Sequence, residues 1–228
     1  MGTILQSKFF QSDAATSHVV TFDNPTTAGS AIVMQFDAFE ADSNGTMTII
    51  GTTGNNGETY ANVPSAAGST LSNVWQCATF VAPNVAGRSG HQVTLTTSES
   101  AYVRGIVTEV SGIDTSTPVD TGNTAAGAAS QPSGAAATAS AAGLHLAHIA
   151  IIGASASSFT PGAGWTEALD ANDASQVTQE TQYRTAANGV AQTPSATAGL
   201  TPDNWQITHV ILKDAAGGSA GNIAWIRA

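Results

Sequence analysis

Charge is scarce in this chain. Only 10% of residues are Asp, Glu, Lys or Arg, well below the roughly 25% of an average soluble domain. Sixteen acids stand against six bases, a formal charge of −10, and Lys and Arg cluster nowhere, so a phosphate backbone finds no counter-surface and nucleic acid is excluded as an expected partner. Cysteine occurs once, as Cys77, which rules out an intrachain disulfide and a thiolate zinc site. Within NVWQCATFVA it reads as a small buried hydrophobe. The start MGTILQSKFFQ lacks a basic segment followed by an apolar run, and no stretch approaches the ~20 apolar residues that cross a bilayer. Neither a secretory leader nor a membrane partner is expected. Helical periodicity is missing throughout, and the Ala-rich stretch 124–142 is broken by Gly127, Pro132 and Gly134.

What the chain does have is a repeated phrase: a strand, then Ala-Gly, then an apolar strand. It appears in VVTFDNPTTAGSAIVMQFDAF around Ala28-Gly29 and again in GAAATASAAGLHLAHIAIIGA around Ala142-Gly143. Further along, Gly87 of ATFVAPNVAG aligns with Gly189 of TQYRTAANG, and Tyr102 with Trp205. The separation shortens by about ten residues between these landmarks, a change that one shorter surface loop accommodates. Short segments rich in Val, Ile, Thr and aromatics are separated by Gly, Asn, Pro and Ser clusters, which predicts an all-β chain. The first copy is expected to supply strands at 4–11, 17–22, 31–39, 46–51, 74–82, 92–97 and 103–110. The second is expected to supply 126–130, 135–139, 144–153, 166–169, 177–185 and 205–213. In AIVMQFDAF, Ile32, Met34 and Phe36 share one face, while Gln35 and Asp37 share the other, expected at the outside. The predicted fold is an antiparallel β-sandwich, jelly-roll-like, formed as one domain over 1–213 from two divergent repeats, about 4–112 and 124–213. The Ala-rich stretch reads either as a linker or, by the repeat, as two thin strands joined near Gln131-Pro132-Ser133. Residues 214–228 form a Gly-rich tail with an apolar end, Ile223, Trp225 and Ile226, which reads as a last strand or as an arm that adds to a neighbouring subunit.

Chemical motifs were sought and mostly fail on context. GGSAG places Ser219 in a G-x-S-x-G string, yet no His follows it and no strand and helix frame it. His145 and His148 are three apart on a strand and point to opposite faces, so they do not share an ion, and His18, His91 and His209 read as solitary structural residues. A glycosidase needs two facing carboxylates, but Glu109 and Glu180 each stand alone on a strand. Two groups of oxygen donors, Glu40, Asp42 and Asn44, and Asp170, Asn172 and Asp173, have calcium-loop composition, although Asn and Asp are also ordinary turn formers. No catalytic residue, cofactor or resident metal is expected. The remaining candidates are two loop aromatics, Tyr60 and Trp165, which read either as ligand contacts or as buried plugs.

The runs TFDNPTTAGSAIVM, NVWQCATFVAPNVAGRSGHQVTLTTS and VRGIVTEVSGIDTSTPVD, with PGAGWTEA and QYRTAANG, resemble a loosely defined set of jelly-roll or concanavalin-like β-sandwich proteins of tailed bacteriophages and of prophage or bacterial surfaces. The resemblance covers most of 17–213 and rests on turns and strands, so it carries over no site residue. It implies a non-enzymatic virion protein, a capsid decoration (cement) protein on the particle surface whose partners are the major capsid protein or other virion subunits, with a homo-oligomer, a trimer by preference. The alternative is a carbohydrate-binding module or fibre domain that contacts host glycans.

Overall fold

The computed structural model describes residues 1–71, 73–152, 158–172, 177–199 and 201–216. Among the described residues the secondary structure is all strand: β1 (Thr3–Thr21), β2 (Ala31–Glu40), β3 (Ile49–Gly54), β4 (Ala61–Thr70), β5 (Trp75–Ala82), β6 (Gln92–Ser111), β7 (Val119–Ala128), β8 (Ala137–Thr138), β9 (Gly143–Ile152), β10 (Phe159–Pro161), β11 (Thr166–Asn172), β12 (Val177–Ala186), β13 (Ala191–Gln192), β14 (Ala196–Ala198) and β15 (Asn204–Lys213).

Two antiparallel sheets carry the fold. The first has the order β1-β6-β2-β5-β4, with β3 also paired to β6, and the second has the order β11-β12-β9-β15-β7. Written from its other edge the second becomes β7-β15-β9-β12-β11, so every strand of the first path has a counterpart in the same place. Each sheet lays its first strand at an edge beside its last. The landmark glycines agree. Gly87 and Gly189 both adopt left-handed backbone, with φ of +73° and +77°. Their surroundings differ: a Cβ on Gly87 would come within 2.4 Å of the Ala28 nitrogen, whereas one on Gly189 meets nothing within 4 Å. Gly189→Ala is therefore expected to cost about 1–2 kcal/mol from backbone strain alone. Gly87→Ala should cost a further ~1–3 kcal/mol because backbone has to move, a difference readable by urea unfolding.

The first copy folds over itself. Strands β1 and β6 are 19 and 20 residues long, and each fuses two segments that the sequence reading kept apart. Register shifts in β1 between Ser12, Ala15 and Ser17 supply the bulges at which a strand bends. The C-terminal half of β6 pairs with β2, while its N-terminal half pairs with β3. An outer layer of β1, β6 and β3 thus lies across the main sheet, and Phe10, Val20, Met34, Phe36, Phe80 and Leu95 fill the space between. In the second copy the pairs β10–β14 and β13–β8 cover the outer face of its sheet, over a core that includes Ile149, Ile151, Phe159 and Ile207.

The main sheets pack face to face. Val33, Val81 and Val110 of one meet Leu144, Leu146, Val210 and Leu212 of the other. This layering corrects one expectation. Ile32, Met34 and Phe36 do face the first core, but Gln35 and Asp37 are not at the outside: they are 1% and 4% exposed, because a second sheet covers the face they occupy. The Ala-rich stretch contributes β7 and β8 rather than a linker, although β8 pairs with β13 and not with β7. Strand β4 escaped the sequence reading. It carries Pro64 and Gly68, lacks alternation, and is tolerated at a sheet edge.

Candidate functional site

The two loop aromatics lie inside. Tyr60 is 7% exposed and Trp165 is 8% exposed. The Tyr60 hydroxyl lies 3.4 Å from His91 Nε2, and burial together with Glu58 pushes the phenol well above its usual range. Trp165 donates its indole N–H to the Thr193 carbonyl at 3.1 Å, which folds the ring over the outer face of the second sheet. There it meets His145 and His209 edge-on, with centroids 6.4 and 5.6 Å away, and the Arg184 guanidinium lies 6.0 Å from the ring centroid. Both residues are plugs with a satisfied polar end, not exposed ligand contacts. Ile223, Trp225 and Ile226 of the expected interface arm, and Ser219, lie outside the described residues.

Of the histidines expected to be solitary, His91 and His209 have side-chain partners. Nδ1 of His145 lies 3.0 Å from Nε2 of His209. His145 and His209 stand diagonally across β9 and β15, where His145 faces Ile211 and His209 faces Ala147. His148 points the other way, into the seam between the sheets, where its Nε2 is 2.9 Å from Asp37. The expectation that His145 and His148 occupy opposite faces is met, and each finds a different partner. Burial, with Arg184 adding to it, pushes His145 down to about 4. Burial and the neighbouring His145 push His209 down to about 3. Both rings are therefore neutral near pH 7, one donating to the other.

The two oxygen-rich groups fare differently. Glu40, Asp42 and Glu99 bring carboxylate oxygens within 4.8 Å of one another, but Glu40 already accepts the N–H groups of Gly45, Thr46 and Met47. Burial pushes its carboxyl up, and these three bonds outweigh that and hold it below the usual range. The group closes its own turn. Asp170 and Asn172 lie on β11 rather than in a loop, and Asp173 lies outside the described residues. Of the two strand glutamates, Glu109 is buried and accepts hydrogen bonds from Gln6, Ser30 and the Thr27 N–H. Glu180 is buried, and among the described residues neither of its carboxylate oxygens meets a donor.

Clefts give little chemistry. One of about 410 Å³ runs beside β4 and the segment leading into β7, and Pro64, Pro83 and Pro118 line it without an aromatic. Another of about 350 Å³ lies between the first residues and β12, beside Tyr183 and Arg184.

The outer layer of the first copy offers the more coherent surface. Across it Ser17 pairs with Thr96 and Val19 with Thr94, while on the other side of β6 Thr96 pairs with Gly51 and Thr94 with Thr53. Alternation turns His18, Val20, Val93 and Leu95 inward and leaves Ser17, Val19, Thr53, Thr94 and Thr96 outward. Val19 is 54% exposed, and Ile50, on β3 at the other side of β6, is 66% exposed. No Asp, Glu, Lys or Arg occurs in 17–21, 49–54 or 92–97. The signal for this surface is legible in HQVTLTTS, where Val93 and Leu95 alternate with Gln92, Thr94 and Thr96, the pattern of a half-buried strand. What the sequence did not disclose is that β1 and β3 extend the same uncharged face. No protein-family model, curated protein or solved structure matches the chain.

Proposed function

We propose that this protein is a non-enzymatic structural subunit of a phage particle, a capsid decoration protein that binds by protein–protein contact through the outer layer of its first copy. The observation that carries the reading is the uncharged Ser/Thr/Val face on β1, β6 and β3 of a chain whose net charge is −10. Depletion of charge is the compositional mark of an interface core. Exposed β-branched side chains on a rigid, paired sheet meet a partner with little conformational entropy to lose. The reading gains support from the way the titratable side chains are engaged: His145 with His209, His148 with Asp37, and Glu40 and Glu109 with backbone and hydroxyl donors. These are structural uses.

A stable contact buries ~800 Å² per partner, and many copies binding only the assembled shell stabilise it by mass action. In this account capsid subunits, and neighbouring copies of the chain as a homo-oligomer, are the partners. Two single variants, Val19→Asp and Thr94→Arg, place charge at the centre of the face without touching the core. Each is expected to weaken co-sedimentation with phage capsids by about 100-fold, the scale of a central contact residue, while the unfolding midpoint stays that of the parent. Capsid binding unchanged in both variants would sink the proposal.

A further inference from the structure

We infer that the outer face of the second sheet holds a divalent-cation site built from Glu180 and Gln182 of β12 with Asp170 and Glu167 of β11. Register brings them together: Asp170 is directly opposite Glu180, and Glu167 is directly opposite Gln182. Cross-strand partners point to one side with Cβ atoms ~4.5–5.5 Å apart. That side is away from the seam, because the alternate residue Gln179 meets Asp37 across it and Thr181 meets His148 on the seam face of the same sheet.

The second observation is independent of the acidic composition. Glu180 is fully buried, yet among the described residues neither of its carboxylate oxygens meets a donor, and neither does Oε1 of the buried Gln182. Gln182 is held in this sense by its Nε2, which donates to the Ser195 carbonyl at 3.1 Å and leaves the oxygen free to face Glu180's side. Three orphaned acceptors on successive outward positions of one strand are costly unless something electropositive satisfies them. Asp170 is anchored by the Phe159 N–H on one oxygen at 3.1 Å. Glu167 is exposed, so the set opens to solvent at that end. Four hard oxygen side chains without nitrogen or sulfur suit calcium rather than zinc or copper.

The charged groups that face Glu180 from the adjoining strand are Glu167 and Asp170. Burial first, then these two neighbours, push the Glu180 carboxyl up to about 8.

The test is calorimetric titration of the full-length protein with calcium chloride, compared with magnesium chloride. The expected result is one calcium per chain with a dissociation constant of about 10⁻⁴–10⁻³ M. Glu180→Gln, isosteric and uncharged, and Asp170→Asn should each weaken binding about tenfold or more while the far-ultraviolet spectrum stays that of the parent. Glu99→Gln, in the separate Glu40 turn, should leave binding unchanged. No saturable calcium binding at millimolar concentration, or binding indifferent to Glu180→Gln and lost in Glu99→Gln, overturns the inference.

Discussion

Replacing His148 with leucine is expected to lower the unfolding midpoint by about 10 °C, the largest effect anticipated for a single side chain here. Asp37 lies on β2 in the seam, and its Oδ2 accepts from His148 Nε2 at 2.9 Å and from Gln179 Nε2 at 3.0 Å. Burial pushes the Asp37 carboxyl up, and His148, by hydrogen bond and by charge, pulls it back. Removing His148 leaves a buried carboxylate with only neutral donors, Gln179 and Trp75, and breaking a buried pair in this way typically costs ~3–5 kcal/mol. For a chain of this length each kcal/mol shifts the midpoint by ~2–4 °C. Replacing both partners, Asp37→Val with His148→Leu, should recover most of that loss, because an apolar pair of suitable volume extends the cluster of Val33, Leu144 and Leu146. Calorimetry of the three variants checks this. A double variant as unstable as the single would show that the pair stabilises the seam in its own right rather than merely satisfying itself.

Stability is expected to peak near pH 6 and to fall on both sides. On the acid side, His145 and His209 have folded pKa values depressed to about 4 and about 3. The unfolded chain takes up protons near pH 6.5 while the folded one does not, so their contribution is present above that pH and is lost as pH falls through the folded values. Stability therefore falls progressively as pH drops from about 6.5 to 4. On the alkaline side the sign reverses. Glu180 is raised to about 8, so its contribution is present below the ordinary glutamate pKa and is lost as pH rises toward and past 8. Urea unfolding across pH 4–9 should show both limbs. His209→Phe, which keeps an aromatic beside Trp165, should flatten the acid limb only, and Glu180→Gln the alkaline limb only. An acid limb unchanged in His209→Phe would show that other groups govern it.

Much of the fold was readable because the repeat constrained it. Alternation located Val93 and Leu95 on the buried face, and the alignment of Gly87 with Gly189 anticipated two turns of the same left-handed backbone. The repeat also turned an Ala-rich stretch into β7 and β8. What it could not convey was depth. Gln35 and Asp37 have the pattern of an outward face, and only the sheet stacked upon them makes it an interior one. The same is true of the histidines. His145 and His209 meet because β9 and β15 pair in one register, and no local spacing encodes a cross-strand diagonal. Strand β4 was hidden by Pro64 and by its place at an edge. Tyr60 and Trp165 looked like loop aromatics because they border turns, and their burial depends on His91 and Thr193, distant partners in the chain.

Reconstruction of phage particles carrying the bound protein would test the central claim most directly. The account predicts many copies arrayed on the shell, with Val19, Thr53 and Thr94 of the first copy's outer layer facing the capsid. Particles that bear no copies, or copies whose uncharged layer faces solvent while another surface makes the contact, would contradict it.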